Sequence, residues 1–422
     1  MIARRLAGSL VLLFVILGRA VAQTPPVYAT TVAPVPGSQI TVTLVTFGLG
    51  EEVFERFGHN ALWFHDASTL QDVAYHWGLF SFNEPGFLVR FLTGDTKYWM
   101  GAVDVRELME FERRRGRPIT LQRLNLTPAQ ALRLREFVRW NALDENKYYR
   151  YDYFGDNCAT RLRDALDHAL GGAIRQATGT VRTTLSYRQE SLRLTDGLHL
   201  VQAGMDVALG RPADVPLTEW ESFFIPMRLR DAVRGIRIPG PDGVDVPLVA
   251  QEQIVPLPPE TKPIPELAIA PSLTPRFAVL GLLLGALVVV LRVMMLTRRS
   301  AAWGLALFGS AWSLLSGVLG VILLFAWIAT KHVFWASNEN VMLLTPLSLA
   351  LVLLIPAAVL SGRRERAARM IASIVALLGV VAAVHAIVPG GQENGAVVAL
   401  FLPVHLALGW ALALPRAGVK RY

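Results

Sequence analysis

Five apolar runs, at about 277–296, 302–329, 341–361, 370–388 and 396–414, occupy the last third of this 422-residue chain. Each is near the ~20 residues that a helix needs to cross the hydrocarbon core of a bilayer. The charges between them set a direction. "RVMMLTRR" (292–299), "GRRERAAR" (362–369) and "RAGVKRY" (416–422) are rich in Arg and Lys, whereas "KHVFWASNEN" (331–340) and "PGGQENG" (389–395) are nearly free of them. The positive-inside rule places the first three in the cytoplasm and the last two outside. An odd number of spans then carries an exported N-terminal part to a cytoplasmic C-terminus.

The other end of the chain agrees independently. Arg4 and Arg5 precede an apolar stretch, Leu10–Leu17, and "AVAQ" at 20–23 offers a small-residue cleavage site after Ala22. Residues 1–22 therefore read as a signal peptide, since that apolar stretch is too short to span comfortably. Much of the 53% hydrophobic content belongs to the C-terminal runs. The net charge of +8 does not imply nucleic acid. Positive-inside arginines account for part of it, and the exported part has no long basic run.

Between these ends, residues 23–38 read as an extended lead-in and 39–237 as a globular exported domain. Residues 238–275 hold ten of the 25 prolines and read as a semi-stiff linker to a transmembrane domain over 276–422. No internal repeat is visible. "ITVTLVTFG" (40–48) alternates as a half-buried strand does, and "HNALWFHD" (59–66) and "DVAYHWGLF" (72–80) predict two more strands. Thr127-Pro128-Ala129-Gln130 is a capping box that opens a helix. Residues 158–170 make a second amphipathic helix, closed by Gly171-Gly172. Strands followed by helices predict an α+β domain.

That second helix begins at Cys158, the only cysteine of the chain, with Asp156 or Asn157 in the N-cap position. One cysteine cannot form a disulfide within the chain. A thiol in the first helical turn meets unpaired N–H groups and the positive end of the helix dipole, which lower its pKa. The same N–H groups can hold an oxyanion. The alternative is an inert cysteine buried as a small hydrophobe. Five of the eight histidines lie in the exported domain. His59 opens a predicted strand just after a glycine, and His76 lies within the next one; His65, His168 and His199 have no distinguishing context. No close spacing of His, Cys and Asp predicts a metal site, and no cofactor is expected. From the residues alone, the chemistry is a candidate Cys–His pair with the histidine first.

A histidine opening a strand, a polar residue on the following strand and a later "NC" opening a helix are similar to the circularly permuted, NlpC-type branch of the papain-like fold. More closely, "FERFGHNALWF", "YHWGLFSFNEPGF", "YDYFGDNCATRLRD", "GRPADVPLTEWESFFIP" (210–226) and "HVFWASNENVMLLTPL" (332–347) resemble the Lnb family of bacterial membrane proteins, whose named member is a lipoprotein N-acyltransferase. The resemblance implies a permuted papain-like α+β domain followed by an all-α domain of five transmembrane helices in the bacterial inner membrane. It implies Cys158 as nucleophile, His59 as base and His76 as the residue that orients His59, although asparagine is expected where His76 stands. Asn157 and Asn60 are the implied oxyanion or positioning residues, and His332, Asn338 and Asn340 candidates for contacts at the membrane interface. The activity implied moves an acyl chain from a membrane phospholipid, through a Cys158 thioester, to the N-terminal amine of a diacylglyceryl lipoprotein. The competing readings are a tethered cysteine hydrolase of cell-wall peptides, against which five spans argue where one anchor would suffice, and a non-enzymatic membrane scaffold.

Overall fold

The computed structural model describes residues 35–240 and 242–415; the expected signal peptide and most of the lead-in lie outside the described residues. Seven antiparallel strands form the main sheet: β1 (Ile40–Phe47), β2 (His59–Asp66), β3 (Gln71–Leu79), β4 (Lys97–Asp104), β5 (Ile119–Leu124), β6 (Tyr148–Arg150) and β7 (Val249–Val255). Their spatial order is β7-β5-β1-β2-β3-β4-β6. The helices that matter to the site are α1 (Phe87–Thr93), α2 (Pro128–Asn141), α3 (Cys158–Ala169), α4 (Tyr187–Leu194) and α5 (His199–Ala208). The exported part is thus an α/β domain built on an antiparallel sheet.

The first strand is not half-buried as its alternation predicts. On one face Val42 and Leu44 pack with Leu62, Phe64, Leu134, Leu162 and Leu166, beneath α2 and α3. On the other, Val45 and Phe47 pack with Ala61, Ala74, Val105 and Ile119. Thr43 and Thr46 are buried as well. A strand covered on both faces is expected to be apolar throughout; threonines are tolerated here because Thr46 Oγ1 accepts a hydrogen bond from Asn60 Nδ2 at 2.8 Å.

The proline-rich segment also departs from expectation. Val249–Val255 pairs with β5 as the sheet's edge strand, and Arg237–Pro239 pairs with Asp245–Pro247 in a small hairpin. Prolines are compatible with a strand when they fall at its ends, and Pro247 and Pro256 flank this one. The exported domain therefore runs on to residue 255, and the irregular link to the first apolar helix is 256–273.

Five helices beyond it are long and apolar enough to cross a membrane: α6 (Thr274–Met294), α7 (Arg299–Ala329), the stretch Asn340–Ser361 with α8 (Ser348–Ser361) as its main part, α9 (Glu365–His385) and α10 (Gly395–Ala413). They fit a multi-pass membrane protein. Two of their connecting loops grip the exported domain through polar groups. A helix leaves its last carbonyls without partners, and at the end of α5 these are satisfied from the other domain. Asn338 Nδ2 donates to the carbonyls of Val207 and Ala208, both at 2.9 Å, and Asn340 Nδ2 to Val207 at 3.0 Å. Gln392 Nε2 donates to Leu209 at 3.0 Å, and Asn394 Nδ2 to Asn340 Oδ1 at 2.8 Å. Asn338 and Asn340 are fully buried. Their place is a clamp between the domains, which corrects the expectation that they face lipid headgroups.

Arg188 of α4 closes this clamp. It is 1% exposed and pairs with Asp206 at 2.9 Å and Asp214 at 2.5 Å, while Asp214 also accepts from the Glu393 N–H of the 389–395 loop. Replacing Asn338 by Leu leaves the Ala208 carbonyl buried without a donor, which costs about 1–3 kcal/mol. The apparent melting temperature of the full chain in detergent is expected to fall by several degrees for Asn338→Leu and to stay within error for Ser68→Ala on the exposed β2–β3 turn.

Candidate active site

Gly58 sets the start of β2. It has φ of +75°, and a Cβ there would lie 2.4 Å from Met227 Sδ and 2.9 Å from the Phe47 carbonyl, so a side chain is excluded. His59 follows at once, opposite Phe47 in the β1–β2 register, and its ring stacks on Phe47 at 6.1 Å between centroids. On β3, His76 precedes a register irregularity that extends to Leu79. His59 Nε2 and His76 Nδ1 lie 2.9 Å apart, with the rings nearly perpendicular.

Cys158 approaches from the helical layer. Asn157 caps α3: its side-chain oxygen accepts from the N–H groups of Ala159 and Thr160 at 2.9 and 3.0 Å. Thr160 Oγ1 accepts the Asn157 N–H in return, at 2.8 Å. Asn157 Nδ2 donates to the Tyr153 and Phe224 carbonyls at 3.0 and 2.9 Å. Asp156, the other N-cap candidate, is held instead by Arg161 at 2.6 Å. The helix start lies directly on β3 at Gly78, where an added Cβ would be 3.2 Å from the Cys158 Cβ at a φ of +93°. No residue with a side chain fits between them.

Both expected asparagines are present, with their side-chain amide nitrogens, the groups that could donate to an oxyanion, committed elsewhere. The Asn157 amide is used up by the cap, and Asn60 Nδ2 by Thr46. What acts on the thiol is backbone: the N–H groups of Ala159, Asn60 and Cys158 itself favour the thiolate, as does the Arg117 guanidinium. Burial outweighs all of them and pushes the thiol up to about 11. This corrects the expectation of a depressed pKa: the helix start contributes in the expected direction, but the apolar surroundings of the sulfur are the larger effect. Burial likewise holds His76 down at about 4. It holds His59 well below the usual histidine range, helped by His76 and Arg117. The resting site is therefore a neutral thiol with two neutral imidazoles.

Two neutral imidazoles joined by one hydrogen bond must divide the roles of donor and acceptor. When His59 Nε2–H donates to His76 Nδ1, His59 Nδ1 keeps a lone pair and can take up a proton. In that tautomer His76 accepts from His59 as an amide oxygen would, so a histidine can stand chemically in that place.

Sequence reasoning missed Arg117, Tyr149 and Tyr151. Arg117 is 4% exposed, donates to the Gly48 carbonyl at 3.0 Å and pairs with Glu112 at 2.8 Å. Its positive charge acts on both His59 and Cys158. Tyr149 and Tyr151 are kept protonated chiefly by burial, and lie close enough to Cys158 that a thiolate there would disfavour their ionisation further. The "YYRYDY" run could have marked the tyrosines; Arg117 carries no local signal, because only the β1–β5 pairing brings it to the site. The remaining histidines lie apart: His65 pairs with Asp72 at 2.9 Å, His168 leans on Phe137, His199 begins α5, and His405 lies within α10. His332 sits at the domain junction, stacked on Trp335 at 4.6 Å. Among the described residues no group of three or more His, Cys, Asp and Glu is arranged to hold a metal ion.

The model of the Lnb N-terminal periplasmic domain matches residues 30–188, which include His59, His76 and Cys158, and that of the Lnb transmembrane domain matches residues 268–412. The chain belongs to the Lnb family. Membership points to a membrane enzyme of lipoprotein modification, with its exported domain in the periplasm. No curated protein and no solved structure matches the chain.

The histidine pair makes stability depend on pH. An unfolded chain takes up protons near pH 6.5 at each histidine, whereas folded His76 does so only near 4 and His59 lower than usual. Below about 6.5 the unfolded state binds more protons, so stability falls as pH drops, by about 1.4 kcal/mol per pH unit for His76 alone. Thermal unfolding at pH 7, 6 and 5 checks this, and His76→Asn is expected to flatten the slope. Alkylation of Cys158 is expected to keep accelerating through pH 9; a plateau near pH 8 would contradict a thiol at about 11.

Proposed function

We propose that this Lnb-family protein is a thiol acyltransferase of the bacterial inner membrane. It moves an acyl chain from a phospholipid, through a thioester on Cys158, to the N-terminal amine of a diacylglyceryl lipoprotein. The observation that carries this reading is the His59–His76 hydrogen bond inside the family's periplasmic domain, with the N–H of Asn60, next to His59 in the chain, acting on the Cys158 thiol at a helix start. The order of histidine, second histidine and cysteine along the chain supports a permuted papain-like arrangement. The arginine-rich loops support a cytoplasmic C-terminus, and the five apolar helices support lipid-anchored substrates.

The chemistry follows from the resting state. A thiol held at about 11 does not ionise in advance; its proton passes to His59 Nδ1 as the sulfur attacks the ester carbonyl. His76 accepts the His59 Nε2–H and steadies the imidazolium that forms. Developing charge on the carbonyl oxygen meets the N–H groups of Asn60 and Cys158. The carbon–oxygen ester bond breaks, His59 returns the proton to the departing oxygen, and a lysophospholipid leaves. In the second half, the acceptor amine attacks the thioester carbon and His59 takes a proton from the amine. The carbon–sulfur bond breaks and Cys158 recovers its proton. Low solvation of the sulfur favours amine over water as acceptor.

Intact mass after incubation with a synthetic diacyl phospholipid tests the first half. A hydroxylamine-sensitive acyl adduct is expected on the wild type and absent from Cys158→Ala. His59→Ala is expected to slow adduct formation about 10²–10⁴-fold, the usual contribution of a general base. His76→Asn, which keeps an acceptor for His59, is expected to retain far more activity than His76→Ala. An unacylated wild-type protein that released soluble peptides from cell-wall material would replace this reading with hydrolysis.

A further inference from the structure

Helix α1, with the sequence "FLVRFLT", buries none of its residues. Leu88 is 66% exposed and Val89 64%, and Phe82 in the turn before the helix is 70% exposed. Its one charge, Arg90, is neutralised by Glu84 at 2.7 Å. A contiguous apolar surface of this kind marks an interaction site.

Its position indicates what covers it. The Lys331 N–H donates to the Thr93 carbonyl at 2.8 Å, His332 Nε2 to the Phe91 carbonyl at 3.1 Å, and Lys331 Nζ pairs with Asp95 at 2.9 Å. Lys331 and His332 directly follow α7, which ends at Ala329 and presents Trp327 and Ile328 outward in its last turn. Thus α1 is fastened where an apolar span ends, beside exposed apolar side chains of that span. Tryptophan near a span terminus is itself typical of the bilayer interface.

A second observation links this surface to the site. The Phe87 ring lies 6.0 Å from Phe80, Phe80 4.9 Å from Tyr98, and Tyr98 4.1 Å from Tyr151, each pair stacked. Phe80 stands two residues beyond Gly78, the residue against which Cys158 packs. Partly exposed rings therefore form a continuous row from α1 to Tyr151, which packs against the same core as Cys158.

We propose that α1 and Phe82 lie among the acyl chains of the adjacent leaflet, and that the track Phe87–Phe80–Tyr98–Tyr151 guides one lipid acyl chain to Cys158. The insertion stands on geometry alone; the guiding role rests on the acyl-transfer reading above. An acyl chain reaching the thiol along this track need not leave apolar surroundings, so the ester at its end arrives without the whole lipid being extracted into water.

The single native cysteine makes the test clean. In full-length Cys158→Ala protein in nanodiscs, a fluorophore is placed through Leu88→Cys or, at the far end of β3, through Thr69→Cys. Lipids brominated in mid-chain are expected to quench the label at 88 several-fold more than at 69; equal quenching overturns the insertion. This readout needs no nucleophile, so a wild type that formed no thioester would defeat the functional reading and leave the insertion standing. With Cys158 intact, Phe80→Ala is expected to lower the rate of thioester formation from a long-chain phospholipid about tenfold. An unchanged rate overturns the guiding role.

Discussion

The contact between the start of α3 and β3 at Gly78 is the constraint around which the site is organised. Because Gly78 has no side chain, the helix can rest on the strand, and Cys158 is held against the sheet that carries both histidines. The packing beneath serves that contact. Leu162 and Leu166 of α3 reach the same core as Val42, Leu44 and Leu62, so the helix is pressed onto the centre of the sheet. The Asn157 cap then satisfies the Ala159 and Thr160 N–H groups at the very turn where the thiol sits.

Electrostatics at the site run opposite to a pre-ionised thiolate. Burial dominates the thiol and both imidazoles, and in each case it favours the neutral form. Neutral reacting groups of this kind suit the proposed lipid substrate, because neither the thiol nor the imidazoles carry a charge that an approaching acyl chain would have to desolvate. The nearby Arg117 is already paired with Glu112. In the proposed reaction the proton moves only when a carbonyl is present to receive the sulfur. A hydrogen-bonded second histidine then matters more than a permanent ion pair, since it fixes which nitrogen of His59 is left to act.

The two domains are joined by buried polar contacts as well as apolar ones, among them Phe334 of the loop after α7 packed on Phe154 and Tyr187. The last carbonyls of α5 take their donors from Asn338, Asn340 and Gln392, and Arg188 binds carboxylates that also reach the loop between the last two spans. Buried amides and charges tolerate little misplacement, so such a joint fixes orientation. On the other side of the junction, the Lys331 and His332 contacts fix α1 at the end of α7. The exported domain is thereby held with one apolar surface at the level where the spans end.

Much of this was legible in the linear chain, because the relevant signals are local. Apolar runs of spanning length, loop arginines, the Thr127 capping box, the strands at 40, 59 and 72 and the helix beginning at Cys158 each depend on neighbours within a few residues. Residue types also nominated Cys158 with a histidine before it, and the resemblance to the Lnb family singled out His59 and His76. What the chain alone could not decide was whatever depends on distant partners. Only the folded sheet covers both faces of β1, recruits Val249–Val255 from a proline-rich stretch, brings Arg117 to the site and turns Asn338 and Asn340 inward to cap a helix of another domain. The sign of the thiol's shift belongs to the same class: a helix start is written in the sequence, but the burial that outweighs it is a property of the packed tertiary structure.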